Sequence, residues 1–156
     1  MLDVRGWMLE PETRPIRSYR DLRVYHRSME LLGPIHKLAL GLPDYEKFAL
    51  ADQMRRASRS VPTNIVEGYS RRSSAKDFKH FLAIAMGSAN EMVVHLAICR
   101  QLGYGDDADC ASLIDAYEAL GKQLHMLIAR WKSDGRAPTS NIQHLTSGAH
   151  LQEPQP

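Results

Sequence analysis

Apolar residues recur at helical spacing in four segments of the chain, and no segment alternates apolar and polar residues as a strand would. The first helix should begin near Asp21 and end at Gly41-Leu42-Pro43. Inside it, Pro34 lacks the amide that would bond to the carbonyl of Glu30, which predicts a kink at Gly33-Pro34. The expected core stripe of this helix is Leu22, Tyr25, Met29, Leu32, His36 and Ala39.

The second helix is expected to run from about Tyr45 towards Gly68, which we interpret as its break. Pro62 should bend or locally unwind this helix. Asn64 and Glu67, just after it, are more typical of structural residues than of catalytic ones, because they can bond to freed backbone groups or pair with an arginine. The residues of the apolar face span an arc of about 80°: Leu50, Met54, Ala57, Val61 and Ile65.

Two further helices complete the pattern. The third should start after a cap at Ser73 or Ser74 and end at Leu102 before Gly103, and the fourth should start after a cap at Asp106 or Asp107. The main stripe of the third helix is Phe78, Phe81, Leu82, Ala85, Ala89, Met92, Leu96 and Cys99. A second stripe, nearly opposite, predicts an interface between copies of the chain and comprises Ile84, Gly87, Val94, Ile98 and Leu102.

Four helices joined by short turns predict an all-α fold, an antiparallel up-down four-helix bundle over residues 19–133. Residues 1–18 are expected to form a mobile N-terminal extension, and residues 134–156 a flexible tail rich in polar residues and proline. At 156 residues, one domain is the default. We expect no membrane span and no disulfide, and hence a cytoplasmic protein with Cys99 and Cys110 as inert thiols.

Charge is distributed unevenly, which bears on the choice of partner. Residues 1–80 hold 15 Lys and Arg against 10 Asp and Glu, whereas residues 81–156 hold 5 against 8. Arginine offers a planar fork of donors that fits phosphate oxygens, so the basic residues around the second helix form a candidate nucleic-acid surface. These residues are Arg55, Arg56, Arg59, Arg71, Arg72, Lys76, Lys79 and His80. Alternatively, they form a solvated face with ion pairs such as Asp52 with Arg55 or Arg56, or a surface for a partner protein.

Other chemistry finds little support in the sequence. Glu91 and His95 lie four residues apart and His125 could face them, but the paired Glu-x-x-His motifs of di-iron bundles are absent, so no metal or other cofactor is expected. No glycine-rich phosphate loop, GxSxG elbow or HExxH motif occurs. We therefore expect no enzymatic activity. Of the aromatic residues, only Tyr69, beside Arg71 and Arg72, is expected to touch a base.

The run from Gln53 to Gly68, QMRRASRSVPTNIVEG, resembles the four-helix proteins of the 23S rRNA intervening-sequence (S23) family. Arg71, Lys76, Phe78, Phe81-Leu82, Ile84-Ala85 and Gly87-Ser88-Ala89-Asn90-Glu91 extend the resemblance to the third helix, and the whole covers about residues 19–131. The chain departs from the family at Gly33-Pro34, where relatives continue a regular helix, and in its longer N-terminal extension.

This resemblance implies a small cytosolic bacterial protein that assembles as a ring-like homopentamer with a basic surface and has no established enzymatic activity. It implies nucleic-acid binding, with structured RNA favoured over DNA as the partner. The alternative is an oligomeric scaffold or adaptor that binds a partner protein. The family's name describes the location of its genes, so it does not assign a role in rRNA processing.

Overall fold

A computed structural model describes residues 16–132, which contain helices and no strand. A single residue separates the first two helices, so residues 16–132 form four helical rods of which the first is broken. Over these residues the all-α prediction is confirmed. The predicted extension and tail fall largely on residues 1–15 and 133–156, outside the described residues. The helices are α1 (Arg23–Glu30), α2 (Leu32–Leu40), α3 (Leu50–Ser70), α4 (Ala75–Leu102) and α5 (Asp107–Arg130), with 3-10 turns at Tyr19–Asp21 and Asp44–Glu46.

The break in the first rod lies at Leu31, three residues before Pro34. Pro34 thus occupies the first turn of α2, where a missing amide costs little, and the interruption of the helix lies before the Gly33-Pro34 position that the sequence predicts. The predicted stripe is partly wrong, because it continued a straight helix across the break. Met29 and His36 are exposed, and the buried residues of this rod are Leu22, Val24, Ser28, Leu31, Ile35 and Ala39.

α3 begins at Leu50, five residues later than predicted, because Asp44–Glu46 forms a separate 3-10 turn. The helix then continues through Pro62 to Ser70 without interruption, so the predicted local unwinding does not occur. Side chains in the next turn donate back to the helix: Thr63 Oγ1 to the carbonyl of Arg59 and Asn64 Nδ2 to that of Ser60, each over 2.8 Å. Polar side chains therefore support the backbone beside the proline.

Gly68 does not break α3, contrary to the prediction. It is buried inside the last turns of the helix, and a Cβ atom built there would lie 2.7 Å from Cβ of Phe81 and 2.9 Å from Cδ2 of Phe78. Real side chains do not approach so closely. Glycine at this position therefore permits close packing of α3 against α4, and helix termination falls to the turn that follows.

The ends of α4 and α5 agree with the sequence prediction. Ser74 caps α4 by accepting a hydrogen bond from the amide of Asp77, and Asp106 caps α5 by accepting one from the amide of Asp109. Gly103 ends α4 with a φ of 71°, the left-handed conformation that glycine adopts without strain. These ends are encoded locally, which is why the sequence predicts them.

α4 packs against both α3 and α5, while α1 contacts α3 and α5, and α2 contacts α3. The buried side chains of α4 include Phe78, Leu82, Met92 and Leu96. By length and composition alone, α4 is apolar enough to cross a membrane, which the sequence analysis did not anticipate. Packing against α3 and α5 accounts for the buried apolar residues of α4, whereas Ile84, Val94, Ile98 and Leu102 of the same helix are exposed.

Candidate nucleic-acid interface

Two of the predicted phosphate-binding arginines on α3 are held by Asp52. Arg56 Nε lies 2.9 Å from Asp52 Oδ2, and Arg55 Nη2 lies 3.7 Å from Asp52 Oδ1. Arg55 also donates to the carbonyl of Lys47 over 3.1 Å and is largely buried, so it does not share the exposed arc predicted for it. Among the described residues, no ion pair involves Arg59, which is exposed. The α3 face therefore offers two exposed guanidinium groups instead of three.

The arginines after α3 are positioned by aromatic rings. Arg71 pairs with Glu67 over 2.9 Å and lies 5.2 Å from the ring centroid of Phe81. Arg72 lies 4.4 Å from the ring centroid of Tyr69 and donates to its carbonyl over 3.2 Å. Cation–π contacts of this kind hold a guanidinium in place and leave its charge intact. Tyr69 itself is buried beneath Arg72, so the prediction that it touches a base is wrong.

Cations at the start of α4 carry no such restraints. Lys76 is exposed and Lys79 is half-buried, and within residues 16–132 neither takes part in an ion pair. His80 is exposed, with its ring edge-on to Phe81 at 5.6 Å. The N-terminal end of a helix also carries a partial positive charge. The first turns of α4 therefore present two ammonium groups without an ion-pair partner in the described residues, in a favourable electrostatic setting for phosphate.

A stack of three aromatic rings connects this region with the end of α5. The ring centroids of Tyr69 and Phe78 lie 6.0 Å apart, and those of Phe78 and Trp131 lie 4.6 Å apart. Trp131 follows α5 directly and is flanked by Arg130 and Lys132, both exposed. The stack thus brings two further cations to the α3–α4 turn. We call the resulting group the basic end: Arg71, Arg72, Lys76, Lys79, Arg130 and Lys132.

Sequence reasoning missed Arg130 and Lys132. A cation in the last turn of a helix ordinarily complements the helix dipole, and nothing local indicates that it joins a distant cluster. The sequence places Trp131 on the apolar arc of the fourth helix, so its chain neighbours Arg130 and Lys132 must lie at the same end of that helix. This was the only signal available in the sequence. Their proximity to α4 depends on tertiary packing.

The other end of the molecule is rich in carboxylates. Arg100 pairs with Asp107 over 2.8 Å across the α4–α5 turn, and this hydrogen bond holds the pKa of the Asp107 carboxyl below its usual value. The hydroxyl groups of Tyr45 and Tyr104 lie 2.9 Å apart, which brings the Asp44–Glu46 turn to the same end. We call this group the acidic end: Asp44, Glu46, Asp106, Asp107 and Asp109. Positive and negative charge are therefore separated along the molecule.

The predicted bend residues have structural contacts. Asn64 Nδ2 donates to Ser60 Oγ over 2.9 Å, and Ser88 of α4 donates to the same oxygen over 2.8 Å, which connects the two helices. Glu67 pairs with Arg71 within one chain. Pro62 is buried in the α3 packing face. These contacts agree with the structural interpretation of the segment.

The possible metal ligands do not assemble. Glu91 Oε1 lies 3.1 Å from Nε2 of the buried His95, whereas His125 is exposed. Over the described residues, no group of three or more His, Cys, Asp or Glu side chains is arranged to hold a metal ion. The Glu91–His95 pair is thus a two-residue contact on one helix.

The second stripe of α4 is exposed in the single chain. A surface that binds another chain is exposed in this way when its partner is absent. Val94 and Leu102 are more than half exposed, at 57% and 56%, and Ile84 and Ile98 are only slightly less so. No atom lies within 4 Å of a Cβ built on Gly87. We call this surface the α4 face, comprising Ile84, Gly87, Val94, Ile98 and Leu102. An apolar surface of this extent on a small domain is typical of an interaction site.

Comparison with known proteins agrees with the resemblance found in the sequence. The family model described as 23S rRNA-intervening sequence protein matches residues 20–126, which span α1 to most of α5. No curated protein matches the chain. Since the family model covers more than half of the sequence, the chain belongs to the 23S rRNA-intervening sequence protein family.

Proposed function

We propose that this protein binds nucleic acid through its basic end, with structured RNA as the main partner, and that it catalyses no reaction. The observation that carries the proposal is the contact between Trp131 and Phe78, which places the chain segment of Arg130 and Lys132 near the start of α4, where Lys76 and Lys79 lie. Within residues 16–132, no ion pair involves any of these four cations. In the same segments, residues 67–80 and 130–132, only Glu67 and Asp77 are acidic. Phosphate groups are the natural counterions for such a cluster.

The rings at the basic end favour a base-paired partner. Tyr69 and Trp131 each contact Phe78 edge-to-face, Arg72 lies over the ring of Tyr69, and the rings of Tyr69 and Phe78 are buried, so these two rings are not available to stack on a base. Single-strand binding proteins, in contrast, use free aromatic faces to stack bases. Phosphate contacts from Arg71 and Arg72, which the rings hold in place, and from the lysines would recognise the backbone of a helix. The acidic end would be repelled, and this orients the molecule on its partner.

The proposal includes self-association through the α4 face. The support is a set of apolar side chains of α4 that no helix within residues 16–132 covers. Burying them against a second copy is favourable by about 25 cal/mol per Å². The short connections between α3, α4 and α5 support the antiparallel up-down order. The homopentamer comes from the family resemblance alone. A ring of chains in the same orientation would repeat the basic end and sum the phosphate contacts of each copy.

A cytoplasmic location in bacteria is also part of the proposal. Cys99 and Cys110 are both buried free thiols. Unpaired cysteines are typical of proteins in a reducing compartment. The family resemblance supports a bacterial source.

The experiment is a salt series of equilibrium binding, using nuclease-treated protein and a labelled RNA hairpin, a DNA duplex and a single strand. The test variants are Lys76→Gln with Lys79→Gln, and Arg130→Gln with Lys132→Gln. The control is Lys122→Gln, which removes an exposed charge away from the basic end and outside the proposed contacts between copies. Each test variant should lower the slope of log K against log salt by about 1.8 on duplex, because each lost phosphate contact is worth about 0.9.

The control should retain the wild-type slope and affinity. If wild-type protein of intact oligomeric mass binds none of the three nucleic acids at low salt, the proposal is wrong. It is also wrong if the control variant loses as much affinity as the test variants, because the effect would then follow net charge and not the basic end.

The alternative function, an oligomeric scaffold for a partner protein, has one observation in its favour. The α4 face could be covered by a different protein instead of by a second copy. Val94→Lys would then abolish capture of that partner and leave the oligomeric mass unchanged. Under the main proposal, the same substitution reduces the oligomeric mass.

A further inference from the structure

Three exposed apolar side chains lie at the end of α2 and in the segment that connects α2 with α3. Phe48 is 86% exposed, Tyr45 74% and Leu40 70%, which makes them the most exposed large apolar side chains among the described residues. Exposed aromatic residues of this kind cluster at protein interfaces and contribute much of the binding energy there. We call this group the apolar knob, comprising Leu40, Tyr45 and Phe48.

The same end of the molecule has an unfilled cleft. Where the first rod breaks at Leu31, α2 stays against α3 and leaves a cleft of about 580 Å³ between itself and the start of α5. Nothing lies within 4 Å of a Cβ built on Gly33, which lines it. This volume is in the range of cavities that take up a ligand or a large side chain. Other lining residues are Pro34, Lys37, Leu38, Asp109 and Leu113.

We propose that Phe48 of one chain inserts into the α2–α5 cleft of a second copy. Phe48 does not line the cleft of its own chain, and its side chain is free there. The knob and the cleft are different surfaces of the same chain, and the proposed contact is heterologous: each copy gives its knob to one neighbour and receives the knob of another. A heterologous contact closes into a ring when the rotation between copies permits it.

Charge complementarity supports a second copy as the occupant. Lys47 Nζ lies 5.4 Å from the ring centroid of Phe48, so it would enter with the ring. Asp106 and Asp109 line the α5 side of the cleft and would meet that ammonium group. Lys37 lines the α2 side, and the segment that carries the knob also contains Asp44. Both surfaces thus hold charges that the other can neutralise.

The position of the knob supports the same partner. Tyr104 comes directly after Gly103, where α4 ends. Its hydrogen bond with Tyr45 holds the segment that carries the knob beside this end of α4. Leu102, the last residue of α4, belongs to the α4 face. The knob therefore lies at the end of the molecule where the α4 face terminates, whereas no residue of α4 lines the cleft. The inference rests on the proposed self-association and assigns it two contacting surfaces.

The first test changes each surface separately. Phe48→Ala removes the knob, and Ser112→Trp fills the cleft from α5, where Ser112 is an exposed lining residue. Each should weaken association at least about thirtyfold, as loss of a central aromatic contact does. Ser112→Ala leaves the cleft open and should associate as the wild type does. Mass measured by light scattering over a concentration series gives the result, with circular dichroism and melting temperature to establish that each variant is folded.

The second test combines the two deficient variants. The Phe48→Ala chain retains its cleft, and the Ser112→Trp chain retains its knob, so an equimolar mixture can form one contact and no more. The expected product is a two-chain complex that neither variant forms alone. A misfolded variant would not give this complementation.

Each alternative outcome has a defined meaning. Wild-type mass in both single variants, or a mixture that remains single-chain, overturns this inference while the α4 face can still be tested with Val94→Lys. A wild-type protein that is monomeric throughout overturns the inference together with the proposed self-association. Nucleic-acid binding is measured separately on the basic-end variants, so its failure is distinguishable from either result.

Discussion

Gly68→Ala adds a single methyl group where α3 contacts α4. The new carbon would lie 2.7 Å from Cβ of Phe81, 2.9 Å from Cδ2 of Phe78 and 3.2 Å from the carbonyl oxygen of Phe78. Two of these three neighbours cannot rotate away, because one is a Cβ atom and the other belongs to the backbone. The helices must therefore separate locally, and the rings of Phe78 and Phe81 must shift.

Two opposing effects set the magnitude. Alanine is favoured over glycine inside a helix by about 1 kcal/mol, whereas overpacking a core contact costs about 1–3 kcal/mol. Since rigid atoms make the contact, we take the upper end of the cost, which leaves a net loss of about 2 kcal/mol. For a domain of this size, that corresponds to a fall of roughly 8 °C in melting temperature.

Gly87→Ala is the matched control, because it makes the same substitution inside α4 where no atom of the single chain lies within 4 Å; since Gly87 belongs to the α4 face, both glycine variants are compared in the Val94→Lys background, in which that face is uncovered. It should gain about 0.5–1 kcal/mol from helix propensity. Urea unfolding and thermal melts at equal chain concentration, with oligomeric mass checked in each buffer, give both values. The packing argument is refuted if Gly68→Ala is as stable as its Val94→Lys parent, or if both variants change stability in the same direction.

Three further predictions follow from particular contacts. Arg55→Gln should lower the free energy of unfolding, measured in urea, by about 1 kcal/mol, because Arg55 bonds to Lys47 and Asp52 inside the protein. For the same reason the RNA affinity should stay within about twofold of the wild type. A loss of affinity equal to that of the basic-end variants would contradict this prediction. Arg100 lowers the folded-state pKa of Asp107 below 3.8, so the carboxylate stabilises the fold above that pH and the contribution is lost as pH falls through the folded pKa. Melting curves should show Asp107→Asn less stable than the wild type at neutral pH and equal to it in acid, and a constant difference at all pH values would refute this. Burial raises the pKa of the Cys99 thiol to about 11. At neutral pH, iodoacetamide should therefore modify Cys99 much more slowly in native than in unfolded protein, as judged by mass spectrometry. Equal rates would refute the burial of Cys99.

Features encoded by a few neighbouring residues were predictable. Ser74, Asp106 and Gly103 define helix ends through local hydrogen bonds and a local backbone conformation, and all three lie where the sequence indicated. The stripes of α4 separated correctly into a buried and an exposed set, with Phe81 alone at the boundary, because this helix is straight enough for a constant angle per residue to hold. The first rod failed that condition, since its angular register changes at Leu31.

Contacts between distant segments were not predictable from local pattern. Gly68 looked like a helix break because glycine is common at helix ends, and only the approach of α4 explains its place within α3. Tyr69 looked free to stack on a base until Phe78 and Arg72 covered it. Arg55 had the helical phase of an exposed residue, yet the loop before α3 supplies the carbonyl that holds it.

The sequence by itself determined that residues 16–132 are helical, where α4 begins and ends, where α5 begins, that one face of α4 is apolar and exposed, and which family the chain belongs to. These properties depend on hydrophobic period, capping and motif, which are local. The tertiary structure decided which cations meet. Arg130 and Lys132 are more than fifty residues from Lys76 and Lys79 in the chain, and the contact of Trp131 with Phe78 joins them. Long-range packing of this kind leaves no periodic signal along the chain, so the basic end emerges only when the helices are assembled.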